Sequence, residues 1–401
     1  MARQYTSAPT GAGAGVAGTA DGRPLRELPV TAEQAGAPLL AARKIGIWND
    51  VTSMNWSEFR PFAALACLPA IVLLIACGVA LGDMTAALAA SSGALVVGFG
   101  AFQQDFRHPI VPMLSVCLGM SFSAGIGTLA HASLPLDLTC VALWGFGFGL
   151  MNMVGGGAGW LALQGSIALV IAAAFPATPV FAAWRSFLVL AGGAVQLVVV
   201  LAIHWLAPVR FLAPAANASV TVGSILSQVR AMIEGRAPGL AHAFAMALAV
   251  SGGEVLYRVL EMPNGYWVPM TVLLILRPVA RETAARALAR LLGTLCGVGL
   301  LTLLMALLRP SIPVLIGLIA ATAWACYAFL RVNYAILSMA ITMYVVLLFA
   351  IAGLPELLVA LHRAVATLLG GLIALSAHLL GIWIMWLWQR SDRFTQGENL
   401  R

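Results

Sequence analysis

From Arg60 to about residue 388, apolar runs of membrane-spanning length follow one another with only short breaks, and no other feature restricts the fold so much. A helix rises about 1.5 Å per residue, so about 20 apolar residues cross the hydrocarbon core while satisfying their own backbone hydrogen bonds. Runs near 61–80, 86–102, 110–130, 134–150, 158–175 and 184–206 form a first set. Runs near 241–260, 266–277, 286–308, 312–330, 334–352 and 363–388 form a second. The 401-residue chain is 61% hydrophobic and only 9% charged. Soluble domains run at roughly a quarter charged, so a soluble enzyme, a nucleic-acid-binding protein and a secreted disulfide scaffold are excluded. The expected fold is an all-α polytopic membrane protein of about twelve transmembrane helices.

The flanking material differs. Residues 1–59 open on Gly/Ala-rich TSAPTGAGAGVAGTADG and then mix charges of both signs; they predict a disordered or interfacial cytoplasmic segment with a short helix near Ala41–Met54. An apolar signal-peptide core does not occur before residue 60. Residues 208–240 predict a cytoplasmic linker with an amphipathic helix at 220–235, dividing six-helix halves at 60–207 and 241–389, and 390–401 predict a cytoplasmic tail. The eighth run, 266–277, is too short to cross without tilting or re-entering.

The net charge of +7 is read as topology, because cytoplasmic loops collect Arg and Lys. Arg107, Arg210, Arg230, Arg236, Arg277, Arg281, Arg286, Arg331, Arg390 and Arg393 all fall at predicted inner ends, and Asp83, Asp137, Glu261 and Glu356 at predicted outer loops. Both termini are then cytoplasmic. Arg185, Arg309 and Arg363 break the rule, and charged exceptions inside an apolar chain are candidate functional residues. The six cysteines sit in apolar runs without CxxC or Cys/His spacing and predict packed free thiols, with no metal site and no cofactor. GGGAG at 155–159 predicts a tight turn, since it lacks the strand and the Lys-Ser/Thr of a phosphate loop.

An internal repeat is visible. Arg185, Gly192, Gly193 and Trp205 recur at identical spacing as Arg363, Gly370, Gly371 and Trp383. An even number of helices per unit gives two parallel repeats related by an axis along the membrane normal, with a substrate path on or beside it. Arg290, Thr294 and Gly297 repeat the Arg363, Thr367 and Gly370 spacing within the second half. Residues four apart share a helix face, and the glycine admits a neighbouring helix. The third span carries no arginine, so the halves are not chemically equivalent.

The run Tyr266-Trp267-Val268-Pro269-Met270-Thr271-Val272-Leu273-Leu274-Ile275-Leu276-Arg277-Pro278, with Arg281-Glu282-Thr283, Arg286, Arg290, Gly293-Thr294, Asn333-Tyr334-Ala335 and Arg363-x-x-x-Thr367, resembles the fusaric acid resistance protein-like family over about 242–380. It is also similar to bacterial aromatic acid exporters and, more distantly, to plant aluminium-activated malate channels. The resemblance implies movement of organic anions, often aromatic carboxylates, at the bacterial inner membrane, with a periplasmic adaptor as a candidate partner. The larger exporters carry a sizeable cytoplasmic domain that this chain lacks between or after its halves.

Arginine suits an anion path because guanidinium stays charged and offers a planar fork to carboxylate. Arg290, Arg363 and Arg185 either face such a path or snorkel and cap helix ends. Thr294 and Thr367 are candidate hydrogen-bond donors beside them. Tyr266 and Trp267 are either an interfacial aromatic belt or stacking partners for an aromatic substrate. Pro269 removes a backbone donor, which would break the helix and present terminal amides to an anion. Arg277, Arg281 and Arg286 are either the positive-inside cluster or a funnel for anions. Candidates for proton coupling are Glu254, His204 and His378, with Asp105 as a further titratable group, although Glu254 has Arg258 one turn on as a simple ion-pair partner.

The expected function is export of organic anions through an arginine-lined path between two repeats. A passive anion channel and a membrane scaffold or assembly partner are the rivals. An intramembrane enzyme lacks paired carboxylates, a metal cluster or a nucleophile–base spacing.

Overall fold

The computed structural model describes residues 46–206, 221–235 and 239–398, with side chains up to residue 380. Every long regular element among them is an α-helix: α1 Pro61–Ala66, α2 Leu68–Leu81, α3 Met84–Gly100, α4 Ile110–Ala130, α5 Leu134–Val154, α6 Gly156–Ala173, α7 Pro179–Leu206, α8 Val222–Ile233, α9 Leu240–Val259, α10 Trp267–Ile275, α11 Ala280–Leu308, α12 Ile312–Ala328, α13 Tyr334–Ile351 and α14 Glu356–Glu398. Nine membrane-spanning stretches among the described residues are long and apolar enough, α1 and α2 counting together. α3 and α12 are apolar but have 17 residues each. α10 has nine residues, so it rises only about 13 Å against a core of about 30 Å. The chain is thus a polytopic helical membrane protein, with the eighth apolar run as short as its sequence predicts.

Polar residues placed at helix starts set the boundaries. Asp83 caps α3 by accepting from Ala86 N at 2.9 Å, and Ser133 caps α5 from Leu136 N at 3.4 Å. Asn333 caps α13 by accepting from Ala335 N and Ile336 N at 2.8 and 3.1 Å. Thr221 and Ser224 form a reciprocal capping box at the start of α8, inside the predicted amphipathic segment. Arg309, an exception to the charge pattern, sits just past the end of α11 with φ +40°, where a cation meets the negative end of a helix dipole.

Several expectations are corrected. Only Gly155 separates α5 from α6, and Gly156–Gly159 already belong to α6. The turn is this tight because Gly157 lies against Asp105 and Phe106, where a methyl has no room. Asp137 does not lie in a loop: it sits in the first turn of α5, fully buried. Residues 390–398 are helix, continuous with α14, which is compatible with a cytoplasmic tail. A short helix at 46–52 occupies the second part of the predicted 41–54 segment; residues 1–45, most of the linker with Arg210 and Arg236, and residues 399–401 lie outside the described residues. All six cysteines are free, with Cys77 and Cys296 exposed rather than packed.

Within the first half, α3 packs on α7 and α2, and α4 packs on α6 and α7, with α5 against α6. Within the second half, α10 packs on α14 and α9, and α11 packs on α13 and α14, with α12 against α13. The halves join through α5 on α9 and through α1 and α2 on α12. Glycines make these approaches possible: Gly192 of α7 meets the Ala90 carbonyl of α3, Gly370 of α14 meets the Val268 carbonyl and Thr271 of α10, and Gly293 of α11 meets the Ala335 carbonyl of α13. Valine at Gly293 has to push whole helices apart. Gly293→Val is expected to destabilise by about 1–3 kcal/mol, read as a lower midpoint of thermal aggregation in detergent, and an unchanged midpoint contradicts this packing.

Candidate functional site

The two buried arginines of the second half define the site. Arg290 lies one turn before Thr294 on α11, and Arg363 lies one turn before Thr367 on α14; both arginines are 2% exposed. Each is positioned by the helix pairings just described. Ser338 of α13 donates to the Arg290 carbonyl at 3.3 Å, fixing α11 against α13. Arg363 Nε donates to Thr342 Oγ1 of the same α13 at 3.2 Å, and its guanidinium lies 5.3 Å from the Trp267 ring centroid at the start of α10. Four helices, α10, α11, α13 and α14, thereby converge on one positive region, and the two guanidiniums repel each other.

What matters chemically is what these groups lack. Neither arginine is in an ion pair among the described residues, and Arg290 Nε and Arg363 Nη1 are buried without a hydrogen-bond acceptor. Buried Thr294 Oγ1 and Thr271 Oγ1 are unpartnered as well. An unpaired charge at membrane depth costs at least about 2.5 kcal/mol. Such an arrangement favours an anion, which supplies acceptors to N–H and O–H groups together. Thr367 differs, since its hydroxyl already donates to the Arg363 carbonyl at 2.8 Å.

Tyr266 and Trp267 are 4% and 2% exposed, so they do not form a lipid-facing belt. Their rings stand edge to face at 5.4 Å, with Phe175 of the first half 5.6 Å from Tyr266 and Phe349 of α13 6.2 Å from Trp267. Pro269 does not break α10. It occupies the first turn, where no donor is needed, and the amides around it are spoken for: Trp267 N bonds Asn264 O, Val268 N bonds Gly265 O and Met270 N bonds Tyr266 O. The helix start therefore offers no free amides to an anion.

Arg185 is held differently from Arg363. Its Nη1 donates to Thr128 Oγ1 at 2.7 Å and to the carbonyls of Phe175 and Ala172 at 2.9 and 3.1 Å. Those bonds account for it as a structural clamp.

Arg277 follows α10. Its Nη1 donates to Asn152 Oδ1 of α5 at 3.1 Å, and its backbone N–H donates to Thr283 Oγ1 at 2.9 Å. Burial, with the Arg286 guanidinium nearby, draws its pKa down to about 10, so it stays cationic at neutral pH. His378 Nε2 lies 2.9 Å from the same Thr283 hydroxyl, joining α14 to this group. Arg286 lies 4.8 Å from the Tyr334 ring centroid, and Arg281 pairs with Asp50 at 2.9 Å. His204, near the end of α7, has a buried Nδ1 without a partner. Glu254 accepts from Arg258 Nε at 2.8 Å, the pairing its spacing predicts, and from the Tyr257 hydroxyl at 2.6 Å.

Sequence reasoning missed Thr342, Thr271, Asn152 and Asp137. A threonine on an apolar helix carries no local signal of what it faces. For Asp137 the sequence offers its place but not its role: Ser133 with Pro135 marks a helix start and puts residue 137 in the first turn, whereas its burial and its partner on α9 leave no local signal.

Residues 248–377 match the fusaric acid resistance protein-like family. The chain is 32% identical over 155 residues to inner membrane protein YccS of Escherichia coli, a stretch covering 39% of this chain and 21% of that one. It is 32% identical over 164 residues to an uncharacterised protein of Synechocystis, covering 40% and 21%, and 27% identical over 166 residues to the uncharacterised protein YhfK of Escherichia coli, covering 41% and 22%. The chain thus spans about a fifth of the length of these relatives. No solved structure matches it. Arg290, Arg363 and the aromatic start of α10 all fall inside the matched stretch, so the part of this membrane protein that is similar to the fusaric acid resistance protein-like family is the part that carries the two buried arginines.

Proposed function

We propose that the protein exports organic anions, aromatic carboxylates foremost, across the bacterial inner membrane along a path lined by Arg290 and Arg363. The observation that carries this reading is a pair of buried guanidiniums with unpaired N–H groups and no carboxylate partner among the described residues. A carboxylate seated there gains charge-assisted bonds from Arg290 Nε, Arg363 Nη1 and the Thr294 hydroxyl, while the Tyr266 and Trp267 rings offer an aromatic wall. Arg277, Arg281 and Arg286 form the cationic entrance on the cytoplasmic side, where both termini lie in this reading.

In the same reading twelve crossings form two parallel six-helix repeats. Support comes from the pairings: α3 with α7 and α4 with α6 in one half correspond to α10 with α14 and α11 with α13 in the other. Support comes also from equivalent glycines, because Gly192 and Gly370 stand the same number of residues apart as the backbone carbonyls they touch, Ala90 and Val268. The repeats have diverged in chemistry. Arg185 is bonded through Nη1 to a hydroxyl and two carbonyls of its own protein, whereas Arg363 keeps a buried Nη1 without an acceptor, so the anion path runs through the second repeat.

The test is flux of aromatic and aliphatic carboxylates in proteoliposomes, with and without an imposed pH gradient. Gradient-driven movement of one class is expected. Current indifferent to the pH gradient makes the protein a channel, and absence of flux for every carboxylate refutes the transport reading in favour of a scaffold.

A further inference from the structure

Where α5 meets α9, at the seam between the two halves, Asp137 and Glu254 are both fully buried and share one cation. Arg258 reaches them with different nitrogens, Nη2 to Asp137 Oδ2 at 2.6 Å and Nε to Glu254 Oε1 at 2.8 Å. The close approach of these helices rests on Gly145 and Gly149 of α5, which pack against Ala247 and Ala243 of α9. Tyr257 donates its hydroxyl to the Glu254 oxygen that Arg258 already holds. The remaining oxygens, Asp137 Oδ1 and Glu254 Oε2, are buried and receive no hydrogen bond. One guanidinium holds both carboxyl groups, which brings them together on it.

Charge arithmetic then decides what the cluster accepts. Two carboxylates and one guanidinium leave one uncompensated negative charge in a low-dielectric seam, with two acceptor oxygens and no donor between them. A single proton held between the carboxyls removes the excess charge and satisfies both oxygens with one bond. The groups that act on this pair are Arg258 and Tyr257 of α9 and the two carboxyls on each other; Cys140, one turn on along α5, feels Asp137. α4, α6, α8, α10 and α14 also pack on these two helices and add no charged or titratable partner among the described residues. The Arg258 side chain is 21% exposed, which gives the cluster an edge at the protein surface.

The geometry points to a one-proton site shared by Asp137 and Glu254 on Arg258, placed where proton binding couples to movement between the two halves. Proton binding stands on this cluster alone. Its use to drive export rests on the transport reading above, in which the site lies near the outer surface and loads from outside.

The experiment is an infrared pH titration of the full chain in lipid, without any carboxylate substrate, between about pH 5 and pH 8. A protonated, deuterium-sensitive carboxyl C=O band is expected to grow as the pH falls. Asp137→Asn and Glu254→Gln are each expected to abolish it, because a lone carboxylate facing Arg258 stays ionised. The amide I band reports whether each variant is folded. A wild-type spectrum with no titrating band, or a band that survives in either folded variant, overturns the shared site. The wild-type titration decides the matter even where a variant does not fold. Carboxylate flux driven by a pH gradient is measured separately: a titrating band without such flux keeps the proton site and removes its role in export, whereas flux without the band removes the site.

Discussion

Arg363→Gln in reconstituted protein is expected to lower organic-anion flux by about 10- to 100-fold at subsaturating substrate while leaving the protein folded. The magnitude follows from the bond at stake, since a hydrogen bond between charged groups contributes about 1.5–3 kcal/mol and about 1.4 kcal/mol is a factor of ten. Glutamine keeps a donor toward Thr342 and a flat face toward Trp267 and loses the charge and the fork. Removing an uncompensated buried cation does not cost stability, so the variant is expected to be at least as thermostable as the parent. Arg290→Gln is expected to behave alike. Arg185→Gln is the control with the opposite signature. It strips donors from Thr128, Ala172 and Phe175, lowers stability by about 1–3 kcal/mol and leaves flux within about twofold once corrected for folded protein. Unchanged flux in both Arg290→Gln and Arg363→Gln overturns the proposed path along these two arginines.

That contrast also marks the limit of what the sequence discloses. Arg185 and Arg363 head the same Arg, Gly, Gly spacing, and the local difference one turn on, Thr367 against Val189, does not say which arginine is left unpaired. Their difference is made by residues far away in the chain: Thr128 and two carbonyls surround one, and Thr342 and Trp267 flank the other. Helix positions, by contrast, are legible because a backbone in hydrocarbon must close its own hydrogen bonds, so hydropathy alone marks where a helix runs. Charge placement is legible only as far as loops are concerned. It assigned Asp137 to an outer loop because most acids near helix ends are there, and a buried acid at the start of a helix looks identical until its partner on another helix is known. Glu254 was readable as a partner of Arg258 through its spacing, but the second carboxyl on the same guanidinium comes from α5 and has no trace in the local pattern.

Asn333 shows the same divide within one side chain, and it yields the second large expected effect. Its Oδ1 caps α13 through Ala335 and Ile336, a role the sequence announces. Its Nδ2 donates to the carbonyls of Val51 and Ser53 at 2.8 and 2.9 Å, tying the segment ahead of α1 to the α12–α13 connection. The same segment is held by Asn55 N on the Val332 carbonyl and by rings of Trp56 and Phe59 against Phe329, and the start of α1 by Trp324 Nε1 on the Pro61 carbonyl. Asn333→Ala loses the cap, worth about 1 kcal/mol, and leaves two carbonyls short of a donor at about 1 kcal/mol each. A total near 2–3 kcal/mol is expected, seen as a clear fall in the thermal midpoint. Asn333→Asp separates the two halves of the side chain. Its carboxylate still caps α13, favourably placed at the positive end of the helix dipole, but sets an acceptor against the Val51 and Ser53 carbonyls. Hydrogen exchange is therefore expected to rise at residues 46–60 in both variants and at the first turn of α13 only in Asn333→Ala. Equal exchange at residues 46–60 in Asn333→Asp and the parent contradicts the tether, because those carbonyls then have no need of the Asn333 amide.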